Sequence, residues 1–191
     1  MDKGCISSES GKKCERPRKI FRQEKTDALE NFLISNNAVK QFVILNRDVS
    51  YHFPEHLFFD KKHHVWCLPE SDLLVRVGID PLGLASLGDL AYLSLNPNGS
   101  VVSQGQPIGM LEAAKMTGEL IAPVGGKIVD RNQVVLQDPY QVNREPYGAG
   151  WLAVLESESW NEDSKQLVTG QDVGTWSQEE LKRYREQGWI D

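Results

Sequence analysis

The stretch LEAAKMTGELIAPVGGKIV, Leu111–Val129, reads as two short strands meeting at a turn, with Lys115 set between Glu112 and Glu119. PIGMLEA (Pro107–Ala113) precedes the turn, GELIA (Gly118–Ala122) leaves it, and GGKIVD (Gly125–Asp130) follows. Each segment is bounded by glycine or proline, which punctuate short strands. A lysine at such a tip is held out into water on a defined stem. Its free ammonium is a poor nucleophile. One reading is an ordinary solubilising turn residue. The other is an acceptor for an enzyme that acylates the amine and hangs a long arm on it. A carrier of that kind presents one reactive group to several enzymes at high effective concentration. It requires an exposed lysine on a stiff hairpin.

Moving outward, the neighbouring segments are also strand-like. DLLVRVGI (Asp72–Ile79) is nearly all apolar, DLAYLSL (Asp89–Leu95) alternates, and NPNGS (Asn96–Ser100) is a turn by composition. PLGLASLG (Pro81–Gly88) predicts one helical turn. Strands at this spacing predict a small, mainly β sandwich or barrel over residues 48–156. GDL at Gly88–Leu90 and GEL at Gly118–Leu120 form a faint repeat, each opening a strand.

The flanks differ. Residues 1–47 read as an N-terminal extension. Its residues 11–25 hold seven basic side chains against Glu15 and Glu24, a net of +5. Ala28, Leu29, Phe32 and Leu33 sit at helical spacing, and QFVIL (Gln41–Leu45) reads as a short buried strand. Residues 157–191 read as an acidic linker and a helix, SQEELKRYREQG (Ser177–Gly188). There Ser177 and Glu180 fit a capping box, and Gly188 fits a stop. Leu181 and Tyr184 make its apolar stripe, with Trp176 and Trp189 beyond its ends.

Bulk properties narrow the function classes. The 191 residues carry a formal charge of −6, which argues against nucleic acid as the main partner. No apolar run reaches membrane-spanning length. Cys5, Cys14 and Cys67 are odd in number and scattered, so no disulfide framework is expected, and the expected compartment is cytoplasmic. His64 has only His63 beside it as a metal partner and reads as a structural or cleft-lining residue. No nucleophile–base pair or phosphate-binding loop is visible in the sequence.

"EAAKM…APVGGKIV" resembles the attachment hairpin of the biotinyl/lipoyl domain family, whose fold is a flattened barrel-sandwich hybrid of two small antiparallel sheets. A longer pattern resembles the glycine cleavage system H protein family. It comprises His64-Val65-Trp66, Gly78-Ile79-Asp80, Leu87-Gly88-Asp89 and Asn143 through Trp151 (NREPYGAGW). The resemblance covers about residues 51–156. It implies lipoate in amide linkage on Lys115, attached by a lipoate ligase or lipoyl transferase. It also implies a non-catalytic carrier role with three enzymes as partners: glycine decarboxylase, aminomethyltransferase and dihydrolipoyl dehydrogenase. Glu112, Glu119 and His64 are the residues expected around the arm. Two positions depart from the family. Val65 stands where a cleft-lining glutamate is usual, and Met116 follows the lysine where alanine is usual. Met116 is similar to the biotinyl branch, which leaves biotin as the alternative cofactor. Val65 leaves a lipoate carrier of another pathway, such as sulfur oxidation, as the alternative role.

Overall fold

The computed structural model describes residues 40–46 and 49–190. The basic segment 11–25, the helix expected over Ala28–Leu33, Cys5 and Cys14 lie outside the described residues. By its contacts the chain divides into Met1–Ala38 and Val39–Asp191, and the account below concerns the second unit.

Among the described residues, eleven strands form three antiparallel sheets. β3 (Phe58–Asp60), β4 (Val65–Pro69), β5 (Leu74–Ile79), β11 (Ala153–Glu156), β10 (Gly126–Arg131) and β7 (Val101–Val102) lie side by side in that order. β6 (Leu90–Leu95), β8 (Pro107–Ala113) and β9 (Thr117–Ile121) make a smaller sheet with β8 in the centre. The hairpin β8–β9 is the one opened by the quoted stretch, paired from Pro107↔Ile121 to Glu112↔Thr117. Between the two sheets lies an apolar core that includes Val77, Ile79, Leu93, Ile108, Leu111, Leu120, Ile128 and Leu155. The architecture is mainly β, with antiparallel sheets that do not close into a barrel. The two GxL segments end at the buried Leu90 and Leu120, on the two strands that flank β8.

The alternation expected in DLAYLSL is broken. Leu90 pairs with Ala113 and Tyr92 with Glu112, so Ala91 is an extra residue on β6. That bulge resets the phase, and Leu90, Leu93 and Leu95 all reach the core.

The third sheet is a two-stranded ribbon, β1 (Gln41–Asn46) with β2 (Val49–Pro54). The sequence reading of QFVIL as a buried strand needs correction. Ile44 is buried, but Val43 and Leu45 face solvent, because the ribbon packs by one face only. That face meets the C-terminal helix.

Among the described residues, five α-helices complete the unit: α1 (Pro81–Leu87), α2 (Gln133–Gln137), α3 (Gln141–Arg144), α4 (Trp160–Asp163) and the longer α5 (Asp172–Glu186). α5 begins five residues earlier than expected. Ser177 is not an N-cap: it is buried inside the helix and its hydroxyl donates to the Gly174 carbonyl. Glu180 turns to Arg183 instead of capping. The reason lies in packing. A Cβ on Gly174 would stand 2.5 Å from the Phe42 ring, so a helix-weakening glycine sits where β1 comes closest. α5 and the ribbon share a second core of Phe53, Phe59, Trp66, Leu82, Trp176 and Tyr184. Phe53 and Trp176 meet edge to face at 5.6 Å.

The residues of the longer motif knit these parts. Trp66 pairs with Gly78 across β4–β5, and its Nε1 donates to the Pro146 carbonyl at 3.0 Å. The Tyr147 hydroxyl donates to the His52 carbonyl at 2.9 Å, and the Arg76 guanidinium lies 5.0 Å from the Trp151 ring. Cys67, on β4, is fully buried.

A Cβ added to Gly78 would lie 2.5 Å from the Trp66 ring, and that ring is fixed by its own hydrogen bond. We expect Gly78→Ala to destabilise the protein by about 1–3 kcal/mol through overpacking, measured by urea unfolding. An unchanged midpoint would show that Trp66 moves freely.

Candidate functional site

The turn bearing Lys115 is fixed at its backbone. The Lys115 amide donates to the Leu87 carbonyl at 3.0 Å, the Ala114 amide to Asp89 at 3.0 Å, and the Ala113 amide to Met116 at 2.8 Å. Leu87 closes α1, so the tip of the hairpin rests on the carboxyl end of that helix. Gly88 lets the two approach. It has φ +83°, and a Cβ there would stand 3.1 Å from the Ala114 Cβ. Asn143 holds the same segment, accepting from the Leu90 amide at 3.0 Å and donating to the Gly88 carbonyl at 3.1 Å. The side chain of Lys115 is exposed.

Beside the turn is a cleft of about 250 Å³. Val65, Ile79, Leu87, Leu111, Leu120 and Ile121 give it apolar walls. Lys62, His63, His64 and Glu119 supply the charged and polar groups, and Met116, Tyr184 and Trp189 also border it. Of the expected site residues, Glu119 and His64 therefore share the cleft next to Lys115. Glu112 does not: it pairs with Tyr92 and Thr117 on the exposed face of the hairpin sheet. Among the described residues neither Glu112 nor Glu119 forms an ion pair with Lys115. Val65, the first of the two departures noted in the sequence, is buried in the cleft wall. A larger groove of about 640 Å³, between Gln104, Lys127, Glu156 and Asp163, touches none of these groups.

His64 and His63 lie in a turn before β4, not on a strand. His63 Nδ1 meets Asp60 at 2.9 Å, whereas His64 points inward. His64 has φ +56°, a left-handed backbone that costs a non-glycine residue about 1–3 kcal/mol. The cost is met by its contacts. Its Nδ1 lies 2.9 Å from Asp80 Oδ2, and its Nε2 lies 3.7 Å from Glu180 Oε2 on α5. A Cβ on Gly83 would come within 2.5 Å of the His64 Cβ, so the histidine is wedged against α1. Asp80 stands in the sequence pattern as part of Gly78-Ile79-Asp80, but its task is visible only in the structure. Its Oδ1 accepts from the amides of Leu82 and Gly83 and caps α1, while its Oδ2 holds His64. The Asp-Pro pair at positions 80–81 was the available signal: an N-cap aspartate followed by proline at the first helical position.

Burial works to lower the His64 pKa, but the charge and hydrogen bond of Asp80, with Glu180, outweigh it and hold the imidazole at about 9. For Glu180, burial works upward, while the charge of His64 and the charge and hydrogen bond of Arg183 bring the carboxyl below its ordinary value. At neutral pH the cleft is thus backed by a buried cation. Among the described residues no group of three His, Cys, Asp or Glu side chains is placed to hold a metal, and no helix is long and apolar enough to cross a membrane.

A short hairpin in a β-sheet body thus sets the exposed Lys115 beside a part-apolar cleft. The family described as Glycine cleavage H-protein matches residues 57–180 of this chain. The chain is 33% identical to glycine cleavage system H protein 2 of Aquifex aeolicus over 133 residues, covering 70% of this chain and 80% of that protein. It is 36% identical to the glycine cleavage system H protein of Thermus thermophilus over 117 residues, covering 61% and 90% of the two chains. A crystal structure of a glycine cleavage system H protein from Mycobacterium marinum superposes with a TM-score of 0.58 at 32% identity, covering 66% of this chain and 99% of that one. The chain belongs to the glycine cleavage H-protein family.

The raised His64 pKa has a defined effect on stability. The group binds its proton more tightly folded than unfolded. Its contribution is therefore full below pH 6.5 and is lost as pH rises through about 9. We expect urea-unfolding stability to fall by up to ~3 kcal/mol across that window, and His64→Gln to flatten the profile. A wild-type profile as flat as the variant's would contradict the assignment.

Proposed function

We propose that this protein is the lipoyl carrier of a glycine cleavage system, with Lys115 as its attachment residue and lipoate as its cofactor. The observation that carries this reading is the Lys115 turn itself: an exposed side chain on a backbone bonded to Leu87 and Asp89, at the edge of a cleft. Family membership supplies the pathway. The reach of the match through Asn143–Trp151 favours lipoate over biotin, and glycine cleavage over sulfur oxidation.

Each part of the site has a task in this role. The fixed backbone at Ala114 and Lys115 sets the origin of the arm, so that its reach is defined by the arm alone. When attached, the dithiolane supplies reversible disulfide–dithiol chemistry for carrying a one-carbon unit. The walls formed by Val65, Leu111, Leu120 and Ile121 exclude water from whatever enters the cleft. Glu119, at the cleft border, is the carboxylate that meets a cationic amine there, because Val65 offers none. The protein contributes holding and shielding. Covalent chemistry belongs to its partners, which in this reading are the modifying ligase or transferase, the decarboxylase, the aminomethyltransferase and the dehydrogenase.

Intact-mass measurement of protein from its native cells should show one lipoyl group, located on Lys115 by peptide mapping. Lys115→Arg should fold with an unchanged unfolding midpoint and support no carbon dioxide release with glycine decarboxylase, since arginine keeps the charge but takes no acyl group. A bare Lys115 in native protein, or full turnover by the arginine variant, would end this reading.

Val65→Glu restores a carboxylate to the cleft beside the buried His64 cation. We expect a several-fold, on the order of 10-fold, rise in the decarboxylation rate of the lipoylated protein. An unchanged rate would show that Glu119 already neutralises the cargo.

A further inference from the structure

The Lys115 ammonium is already engaged. Its Nζ donates to the Ala85 carbonyl at 3.0 Å and to the Trp189 carbonyl at 3.1 Å. Ala85 lies in the last turn of α1. Trp189 follows the end of α5, and its position is built by the chain turning back on itself. The Gly188 amide donates to Arg185 at 3.0 Å, the Trp189 amide donates to Tyr184 at 3.0 Å, and Gly188 has φ +70°. This is a Schellman closure, which glycine permits. The Trp189 ring then packs on Tyr184 at 4.9 Å, with the Arg183 guanidinium 5.5 Å from it. Tyr184 and Trp189 both border the cleft. Both also lie beyond residues 57–180, the span matched by the family. The amine at the tip of the hairpin is thus bonded to the same short segment that walls the cleft.

We propose that residues 187–190 form a latch at the cleft border, held by the unmodified Lys115 ammonium and released when that amine is acylated. The lipoyl-carrier reading supplies the identity of the acyl group. Acylation joins Nζ to the carboxyl carbon of an activated acyl donor. A C–N bond forms, the donor's leaving group departs with its bonding electron pair, and the ammonium gives up two protons. Three N–H donors and a positive charge become one N–H donor and no charge. Hydrogen bonds from a cation are roughly twice as strong as neutral ones. The amide can therefore keep at most one of the two carbonyls, and that one weakly. What then holds Trp189 is its ring contacts with Tyr184 and Arg183 and two backbone bonds at a half-exposed helix end, where local opening is easy. Access to the cleft follows the state of Lys115: bare protein keeps the segment down, and acylated protein frees it.

Hydrogen–deuterium exchange of the full chain tests this in three forms: unmodified, lipoylated in vitro, and Lys115→Gln, which has an uncharged amide and no arm. We expect exchange at Gly188, Trp189 and Ile190 to rise by about fivefold or more in the second and third forms, relative to the first. Equal exchange in unmodified and lipoylated protein would overturn the latch. So would a rise in the lipoylated form with none in Lys115→Gln, because the arm itself would then be displacing the segment. The glutamine variant contains no lipoate, so it reads the latch independently of the carrier role. Failure there leaves the carrier reading intact, and a bare Lys115 in native protein would sink the carrier reading without touching the latch.

Discussion

The Asp80 carboxylate is sealed from solvent and divides its two oxygens between two elements. One oxygen takes the amides of Leu82 and Gly83, and the other takes the imidazole of His64. A buried charge is expensive unless it is paired and hydrogen-bonded, and this one is both. The same pairing sets the charge on His64, which in turn faces Glu180 on the C-terminal helix. A single side chain therefore starts α1, fixes the turn before β4 and draws α5 onto the body. Removing one partner from such a set costs about 3–5 kcal/mol, because it strands the others.

α1 carries that order forward to the lysine. It spans only Pro81–Leu87, too short to be stable alone, and is made rigid by its cap at one end and the hairpin at the other. Leu87 receives the Lys115 amide, and Asn143 clamps Gly88 and Leu90 from the opposite side. The turn therefore inherits its position from the buried carboxylate one helix away. This explains why the motif segments, far apart in the chain, converge here: Asp80 caps, Gly88 admits Ala114, and Asn143 binds across the gap.

Much of this was legible in the residues. Strand segments bounded by glycine and proline marked β8, β9 and β10 to within a residue or two. PLGLASLG marked α1, and the Lys115 hairpin was placed by its pattern. The misses share a physical cause, which is that tertiary contacts overrode local signals. Ser177 and Glu180 look like a cap, yet Phe42 packing on Gly174 extends the helix upstream of them. Ala91 looks like one phase of an alternating strand, yet it is bulged out. QFVIL looks buried, yet its partner on α5 covers one face only. The bonds from Lys115 to Ala85 and Trp189 go to backbone carbonyls, which carry no residue-type signal at all.

Cys67 lies fully buried on β4, and burial together with the charge of Asp60 pushes its thiol pKa well above the ordinary value. Thiolates attack disulfides, and a dithiolane is a disulfide in a small ring. A reachable cysteine on the carrier would capture its own arm as a mixed disulfide and stall the cycle. For the lipoyl carrier proposed above, a sulfur kept protonated and out of contact would leave the β-sheet body inert toward its dithiolane. Electron traffic would then be left to that arm and the proposed partner enzymes.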